Sequence, residues 1–289
     1  MNHSPLLYDP ALNRTQEYQL NHILLLTLIL VIMKNMLLTI LLVLFTIALK
    51  GQIVAVVDYM KVPVSKQDAY LATEKQWKTL HQNRVDAGSI LGWELYYVRN
   101  SGTQSPYNFA TVTIYENFAK TEAPFSDADF KKAFGNNAAE VLNKTTASRD
   151  LIYSETYQLA VGLPREGSDK YIVVNSFHTD DLGKYLNMEK VGFMPLQAES
   201  MKMGHRSSWG IWTRWPNGDN SIQAVAVDGY TNFADINSMD YNAVIEKVIA
   251  GKKPAETIEM LDQIYKTDEM RKVVKSEIWE VVDETTPKK

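Results

Sequence analysis

No cysteine occurs in this chain, so disulfides, thiolate nucleophiles and cysteine-ligated metals are excluded together. Positive charge is not in excess either. The formal net charge is -4 and stays negative when residues 1–51 are set aside, so no general attraction to phosphate backbones exists and nucleic acid is not an expected partner. G-x-G-x-x-G, the P-loop, H-E-x-x-H and G-x-S-x-G are all missing, which leaves nucleotide binding, zinc-protease and serine-hydrolase chemistry without their usual signatures. His178, Asp180 and Asp181 are neighbours, but they read as a turn before a helix and not as a ligand set, so neither a metal nor a cofactor is expected.

One long hydrophobic run is present, from Ile23 to Leu49, broken only by Thr27, Lys34-Asn35, Thr39 and Thr46. A continuous membrane span through it would hold Lys34 deep in the bilayer, at about 2.5–3.5 kcal/mol near the centre. Translation from Met33 avoids that cost. Met33-Lys34-Asn35 then becomes the positive start of a signal peptide, Met36 to Leu49 its apolar stretch, and cleavage falls between Gly51 and Gln52. Export is the expectation, with a retained membrane anchor over 23–49 as the alternative. In both cases residues 1–51 are the only part expected to meet a membrane.

The rest of the chain is written twice. Tyr70-Leu71 and Glu74 return as Tyr185-Leu186 and Glu189, Gly88 and Trp93 as Gly204 and Trp209, and Tyr115-x-Asn117-Phe118-Ala119 as Tyr230-x-Asn232-Phe233-Ala234. Ser154-Glu155 then meets Ser276-Glu277. These pairs keep their order at offsets of about 115 to 122 residues, too long for a solenoid unit of roughly 20–50 residues, so a whole domain is duplicated. The expected division is 52–162, a linker at 163–170, and 171–289 ending in a solvated tail.

Each copy reads β-α-β-β-α-β, the ferredoxin-like order. In the first, strands are expected at Ile53 to Met60, Ile90 to Arg99, Tyr107 to Tyr115 and Leu151 to Val161. Ser65-x-x-Asp68 can open a helix that stops at Gly88, and Ser126-Asp127 opens a second helical region broken near Gly135. In the second copy, strands at Tyr171 to Phe177, Ser207 to Trp215, Ser221 to Tyr230 and Lys275 to Val282 alternate with helical stretches at Asp181 to Met203, Tyr241 to Ala250 and Pro254 to Tyr265. Pro216-Asn217-Gly218-Asp219 is the hairpin turn.

Strand patterning implies that both faces of each sheet are covered. Tyr107, Phe109 and Tyr115 fall on one face, with Asn108, Ala110, Val112 and Ile114 on the other; Trp209, Ile211 and Trp215 oppose Trp212. One ferredoxin-like unit covers only one sheet face with helices, so the second face needs the sheet of the other copy. The expected fold class is α+β: two tandem ferredoxin-like repeats packed sheet to sheet as an intramolecular barrel.

A tandem βαββαβ with an aromatic second strand and two apolar sheet faces resembles the dimeric α+β barrel superfamily, across about residues 53–283. That superfamily includes heme-degrading and antibiotic-biosynthesis monooxygenases and muconolactone isomerase-like proteins. The heme-degrading members pair a first-strand asparagine with a closely spaced Trp and His; Asn175 and its counterpart Asp58 hold the strand position, but neither copy has the Trp-to-His spacing. Ligand-binding members commonly use the space between the first helix and the sheet.

On that helix Tyr70, Glu74, Trp77, His81 and Arg84 follow at three- or four-residue steps and share one face. The second copy carries Tyr185, Glu189, Phe193, Gln197 and Ser200 there, without the histidine and arginine. With Trp93 added, these residues form a candidate pocket for a small apolar or aromatic molecule, and Glu74 with His81 is the candidate acid/base pair. A plainer account makes Glu74 and Arg84 partly exposed groups flanking a Tyr/Trp packing stripe, Glu74 and Lys78 an ordinary i,i+4 pair, Trp93 and Trp209 core or inter-copy packing, and Asp58 and Asn175 strand-end hydrogen-bonding groups. An unassigned binding module, a cofactor-independent monooxygenase or isomerase, and a structural protein-interaction domain remain open.

Overall fold

The computed structural model describes residues 52–122, 125–165, 167–216 and 222–286. The apolar run at 23–49 with Met33, the junction residue Gly51, the turn residues 217–219 and the last three residues lie outside them. Strands run at β1 (Val54–Lys61), β2 (Gly92–Val98), β3 (Phe109–Tyr115), β4 (Asp150–Leu163), β5 (Tyr171–His178), β6 (Ser208–Trp215), β7 (Ala224–Tyr230) and β8 (Lys272–Glu284). Between them stand α1 (Gln67–Asp86), α2 (Asp127–Phe134), α3 (Ala138–Ser148), α4 (Leu182–Met188), α5 (Met194–Lys202), α6 (Tyr241–Ala250), α7 (Pro254–Tyr265) and α8 (Thr267–Met270).

All eight strands close into one antiparallel barrel in the order β1-β3-β2-β8-β5-β7-β6-β4. Two joints connect the halves of the chain: β2 with β8, from Glu94 opposite Glu284 to Val98 opposite Trp279, and β4 with β6, from Thr156 opposite Trp215 to Leu163 opposite Trp209. Closure removes every free sheet edge. Alternation then sends one residue set inward, where Ala55, Val57, Tyr59, Tyr96, Tyr157, Ile172, Val174, Val225 and Trp279 form a core drawn from both halves. The other set faces the helices: Val54, Met60, Trp93, Leu95, Phe109 and Tyr115 pack with Tyr70 of α1, and Phe177, Trp209 and Ile211 with Tyr185 and Met188 of α4.

Four local expectations are corrected. Ser65 does not cap α1; a 3-10 turn at Val64–Lys66 precedes the helix, and Lys66 stands at its N-cap without a side-chain bond. Tyr107 does not share a face with Phe109, because the strand begins only at Phe109 and Tyr107 packs on Tyr59 inside the barrel, 4.6 Å between centroids. Trp215 is exposed and does not join Trp209 and Ile211. The helix expected from Asp181 to Met203 is interrupted by a π turn at Glu189–Phe193. Pro195 just beyond has no N–H to offer Val191, and the π turn absorbs one extra residue, which is why the offset between the halves grows from 115 at Glu74/Glu189 to 116 at Trp77/Phe193.

Gly88 and Gly204 end α1 and α5 in the same way, at φ 73° and 77°. The next residue's N–H returns to a carbonyl five positions back, Ser89 to Arg84 at 2.9 Å and His205 to Ser200 at 3.0 Å, while Gly88 and Gly204 bond Val85 and Met201. This Schellman closure requires the left-handed conformation that glycine adopts without strain. It fixes where the last turn of each helix presents its side chains.

Candidate functional site

A cavity of about 290 Å³ lies between α1 and the outward faces of β1, β2 and β3. The steps of three and four along α1 bring Glu74, Trp77, His81 and Arg84 into its wall; β2 adds Trp93, β1 adds Val56 and Asp58, and β3 adds Thr111, Thr113 and Tyr115. Phe125, from the loop before α2, and Arg149, between α3 and β4, complete it. Tyr70 is the exception among the sequence candidates. It is fully buried below the cavity, edge-on to Phe109 at 4.9 Å, with its hydroxyl 3.3 Å from Met60 Sδ.

Glu74 does not pair with Lys78. Lys78 reaches across to Asp283 at 2.5 Å, while the buried Glu74 faces Arg149 at 3.7 Å. Burial pushes the Glu74 carboxyl up to about 7, against the opposing pull of Arg149 and the nearby Tyr70 hydroxyl. It therefore holds its proton near neutrality only weakly, which suits proton exchange.

His81 behaves differently. Its ring stacks on Trp93 at 5.0 Å and 7° between planes, and burial together with the neighbouring Arg84 holds it down to about 3. Arg84 Nη1 lies 3.4 Å from His81 Nδ1. Because a guanidinium only donates, Nδ1 must be the accepting nitrogen and the ring proton sits on Nε2. His81 is thus a neutral positioning residue for Arg84, and of the two acid/base candidates only Glu74 titrates in the ordinary pH range.

Arg84 is 2% exposed, lies 4.7 Å from the Phe125 ring centroid and 5.8 Å from that of Tyr115, and its Nη2 has no hydrogen-bond partner. Among the described residues no carboxylate is within ion-pair distance of it. Trp77 is fixed by a 2.7 Å bond to Thr145 and packs against Phe125, Phe130 and Phe134. Asp58 accepts from the Ser154 hydroxyl of the adjacent strand, as a hydrogen-bonding residue does, yet it also faces the cavity.

Sequence reasoning missed Arg149, Thr113 and Phe125. Arg149 had a signal: it precedes β4 where Arg271 precedes β8, at the 122-residue offset of Glu155 and Glu277. Phe125 has no aligned partner to mark it. A second cavity inside the barrel, about 110 Å³, is lined almost wholly by apolar side chains of both halves; its buried carboxylate, Glu94, accepts from Tyr96 at 2.5 Å and pairs with Arg165 at 2.9 Å. Asp181, as expected of a turn before a helix, caps α4 by accepting from Lys184 N–H at 3.0 Å.

No family model and no curated protein matches the chain. Among solved structures, a "putative monooxygenase" of Lactobacillus acidophilus superposes with TM-score 0.50 at 12% identity, over 82% of this chain and 97% of its own. One of Fusobacterium nucleatum gives TM-score 0.50 at 12% identity, over 82% and 95%. A "putative chlorite dismutase" aligns over 81% of this chain and 96% of its own at 10% identity, with TM-score 0.40. Likeness to the two structures at TM-score 0.50 and 12% identity shows a shared fold alone. The chain has the fold of the dimeric α+β barrels, as a closed eight-stranded antiparallel barrel flanked by helices.

Proposed function

We propose that this protein binds a small apolar or aromatic molecule in the cavity between α1 and the barrel. The carrying observation is convergence: Trp77, Trp93 and Phe125 supply aromatic walls, while Glu74, Arg84 and Arg149 place a few polar groups among them. A volume of about 290 Å³ limits the occupant to a small molecule. Native mass spectrometry of protein purified from its own host tests the reading. One small molecule per chain is expected, lost when Trp77→Ala opens the aromatic wall; wild-type protein that stays empty and takes up no aromatic compound speaks against it.

Catalysis is the second reading, favoured by a carboxyl of pKa about 7 inside the cavity and by solved barrels of the same fold that carry the name monooxygenase. In a cofactor-independent monooxygenase or isomerase, Glu74 would be the proton-transferring group. Turnover should then rise or fall through about pH 7, and Glu74→Gln should abolish it while a ligand still binds.

Two further readings belong with the first. The matching element order of the halves and the shared glycine closures support descent from one duplicated ferredoxin-like unit. Export with cleavage before Gln52 is compatible with a barrel whose first strand starts at Val54.

A further inference from the structure

The second half holds a matching cavity of about 240 Å³, and the differences between the two identify what the first is shaped to receive. Its wall contains Glu189, Arg206, Asp228, Tyr230 and Arg271. Arg271 is hydrogen-bonded to Glu189 where Arg149 faces Glu74 at 3.7 Å. The helix position of Arg84 is Ser200 here, yet a guanidinium is still present. Arg206 supplies it from the loop before β6, 5.8 Å from the Tyr230 ring, the same distance that separates Arg84 from the equivalent Tyr115.

The partners of these two arginines differ. Arg206 Nε donates to Ser200 Oγ at 3.2 Å, Nη2 contacts Met239 Sδ at 3.5 Å, and Nη1 is bound to the Asp228 carboxylate. At the position of Asp228 the first half has Thr113, in the cavity wall. Arg84 is left with a long contact to a neutral histidine and with the rings of Phe125 and Tyr115, and among the described residues no carboxylate lies within ion-pair distance of it. Of the other charged groups facing that cavity, Glu74 and Arg149 oppose each other at 3.7 Å without a hydrogen bond between them, and Asp58 accepts from Ser154. A guanidinium cannot shed its proton, and a buried charge without a counter-charge is strongly unfavourable.

Resting on the reading of this cavity as a binding site, we infer that its ligand is an aromatic monocarboxylate whose carboxylate pairs with Arg84, and that the Arg206–Asp228 pair closes the second cavity to the same ligand. The planar guanidinium matches a carboxylate, and Trp77, Trp93, Phe125 and Tyr115 surround it with ring faces and edges. Arg84 thus supplies the anion's partner, and His81 holds the guanidinium in place.

The test is calorimetric titration of the full-length protein with phenylacetate and with its neutral isostere 2-phenylethanol. Phenylacetate should bind at one site per chain, about tenfold or more tighter than the alcohol. Thr113→Asp, which gives Arg84 the internal partner that Arg206 has, should abolish that preference, and Asp228→Thr should open a second phenylacetate site. Should Thr113→Asp fail to fold, Arg84→Gln makes the same test: its affinity for phenylacetate should fall to that for the alcohol. Equal wild-type affinity for the two probes overturns the carboxylate assignment and leaves the binding site standing. Binding of neither probe overturns both, and unchanged phenylacetate affinity in a folded Thr113→Asp or Arg84→Gln protein overturns the role of Arg84.

Discussion

Thr113 and Asp228 occupy the same position in their respective halves and treat the neighbouring arginine in opposite ways. Thr113 is paired across the sheet with Val56 and Trp93, Asp228 with Val173 and Trp209. Both stand two residues before the tyrosine of the shared Tyr-x-Asn-Phe-Ala. Asp228 pairs with Arg206; Thr113 offers Arg84 no carboxylate, and Arg84 Nη2 has no hydrogen-bond partner. The two cavities are therefore built alike and charged differently.

That difference predicts unequal responses to removing each arginine. Arg84→Ser deletes a buried charge that has no ion-pair partner but also its packing on Phe125 and Tyr115, so it should cost less than the loss of Arg206. Arg206→Ser removes the ion pair of Asp228, whose pKa burial already raises, leaving it Asn175 at 3.4 Å and the more distant Arg271, and should cost about 3–5 kcal/mol. Chemical denaturation of the two variants decides it. Equal losses would mean that Arg84 has a compensating partner in the folded protein.

Stability should also depend on pH through Glu74 and Glu189, both pushed up to about 7 by burial. A carboxyl with a raised folded pKa contributes stability fully below its unfolded value of 4.5, and that contribution is lost as pH rises through about 7. His81, held down to about 3, acts in the opposite sense, since its contribution is present above 6.5 and lost as pH falls. With the carboxyls of Glu94 and Asp228 also raised by burial, the raised carboxyls outnumber the one imidazole, and stability should decline between about pH 5 and 8. Glu74→Gln should make that decline shallower by about 3 kcal/mol, an order-of-magnitude figure for a shift of 2–3 pH units. A variant that parallels wild type across this range would show that Glu74 is ionised throughout.

Much of the barrel was legible because alternation and punctuation acted together. Phe109, Thr111, Thr113 and Tyr115 against Ala110, Val112 and Ile114 announce a strand buried on both faces, and Gly88 and Gly204 announce where the helices stop. The α1 stripe was legible for the same reason, since spacing alone places Glu74, Trp77, His81 and Arg84 together. Spacing could not show depth, so Tyr70, on the same stripe, was read as a wall residue when it lies beneath. Nor could it show that Arg206, aligned with Ile90, would reach the position of Arg84. Local pattern reports which face a side chain takes, not which distant loop arrives at the same point.

Because the two joints β2–β8 and β4–β6 complete the barrel, neither half should be stable as a monomer. Residues 52–165 expressed alone would expose the inner face formed by Ala55, Val57, Tyr59, Tyr96 and Val98. Light scattering should find a dimer or aggregates. A soluble, cooperatively folding monomer would mean that the inner face does not need the other half.

Processing is checked by N-terminal sequencing of protein recovered from outside the cytoplasm. Cleavage between Gly51 and Gln52 is expected, with Gln52 possible in its cyclised form. Recovery of chains starting at Met1 in the membrane fraction would favour the anchor.

The most direct measurement of the central claim is a crystal structure of the protein soaked with phenylacetate. Ligand density should fill the cavity under α1, with the carboxylate at Arg84 Nη2 and the ring among Trp77, Trp93 and Phe125, while the cavity beside Arg206 stays without ligand. Density beside Arg206 or in the barrel interior, with the α1 cavity unfilled at saturating phenylacetate, would contradict the account.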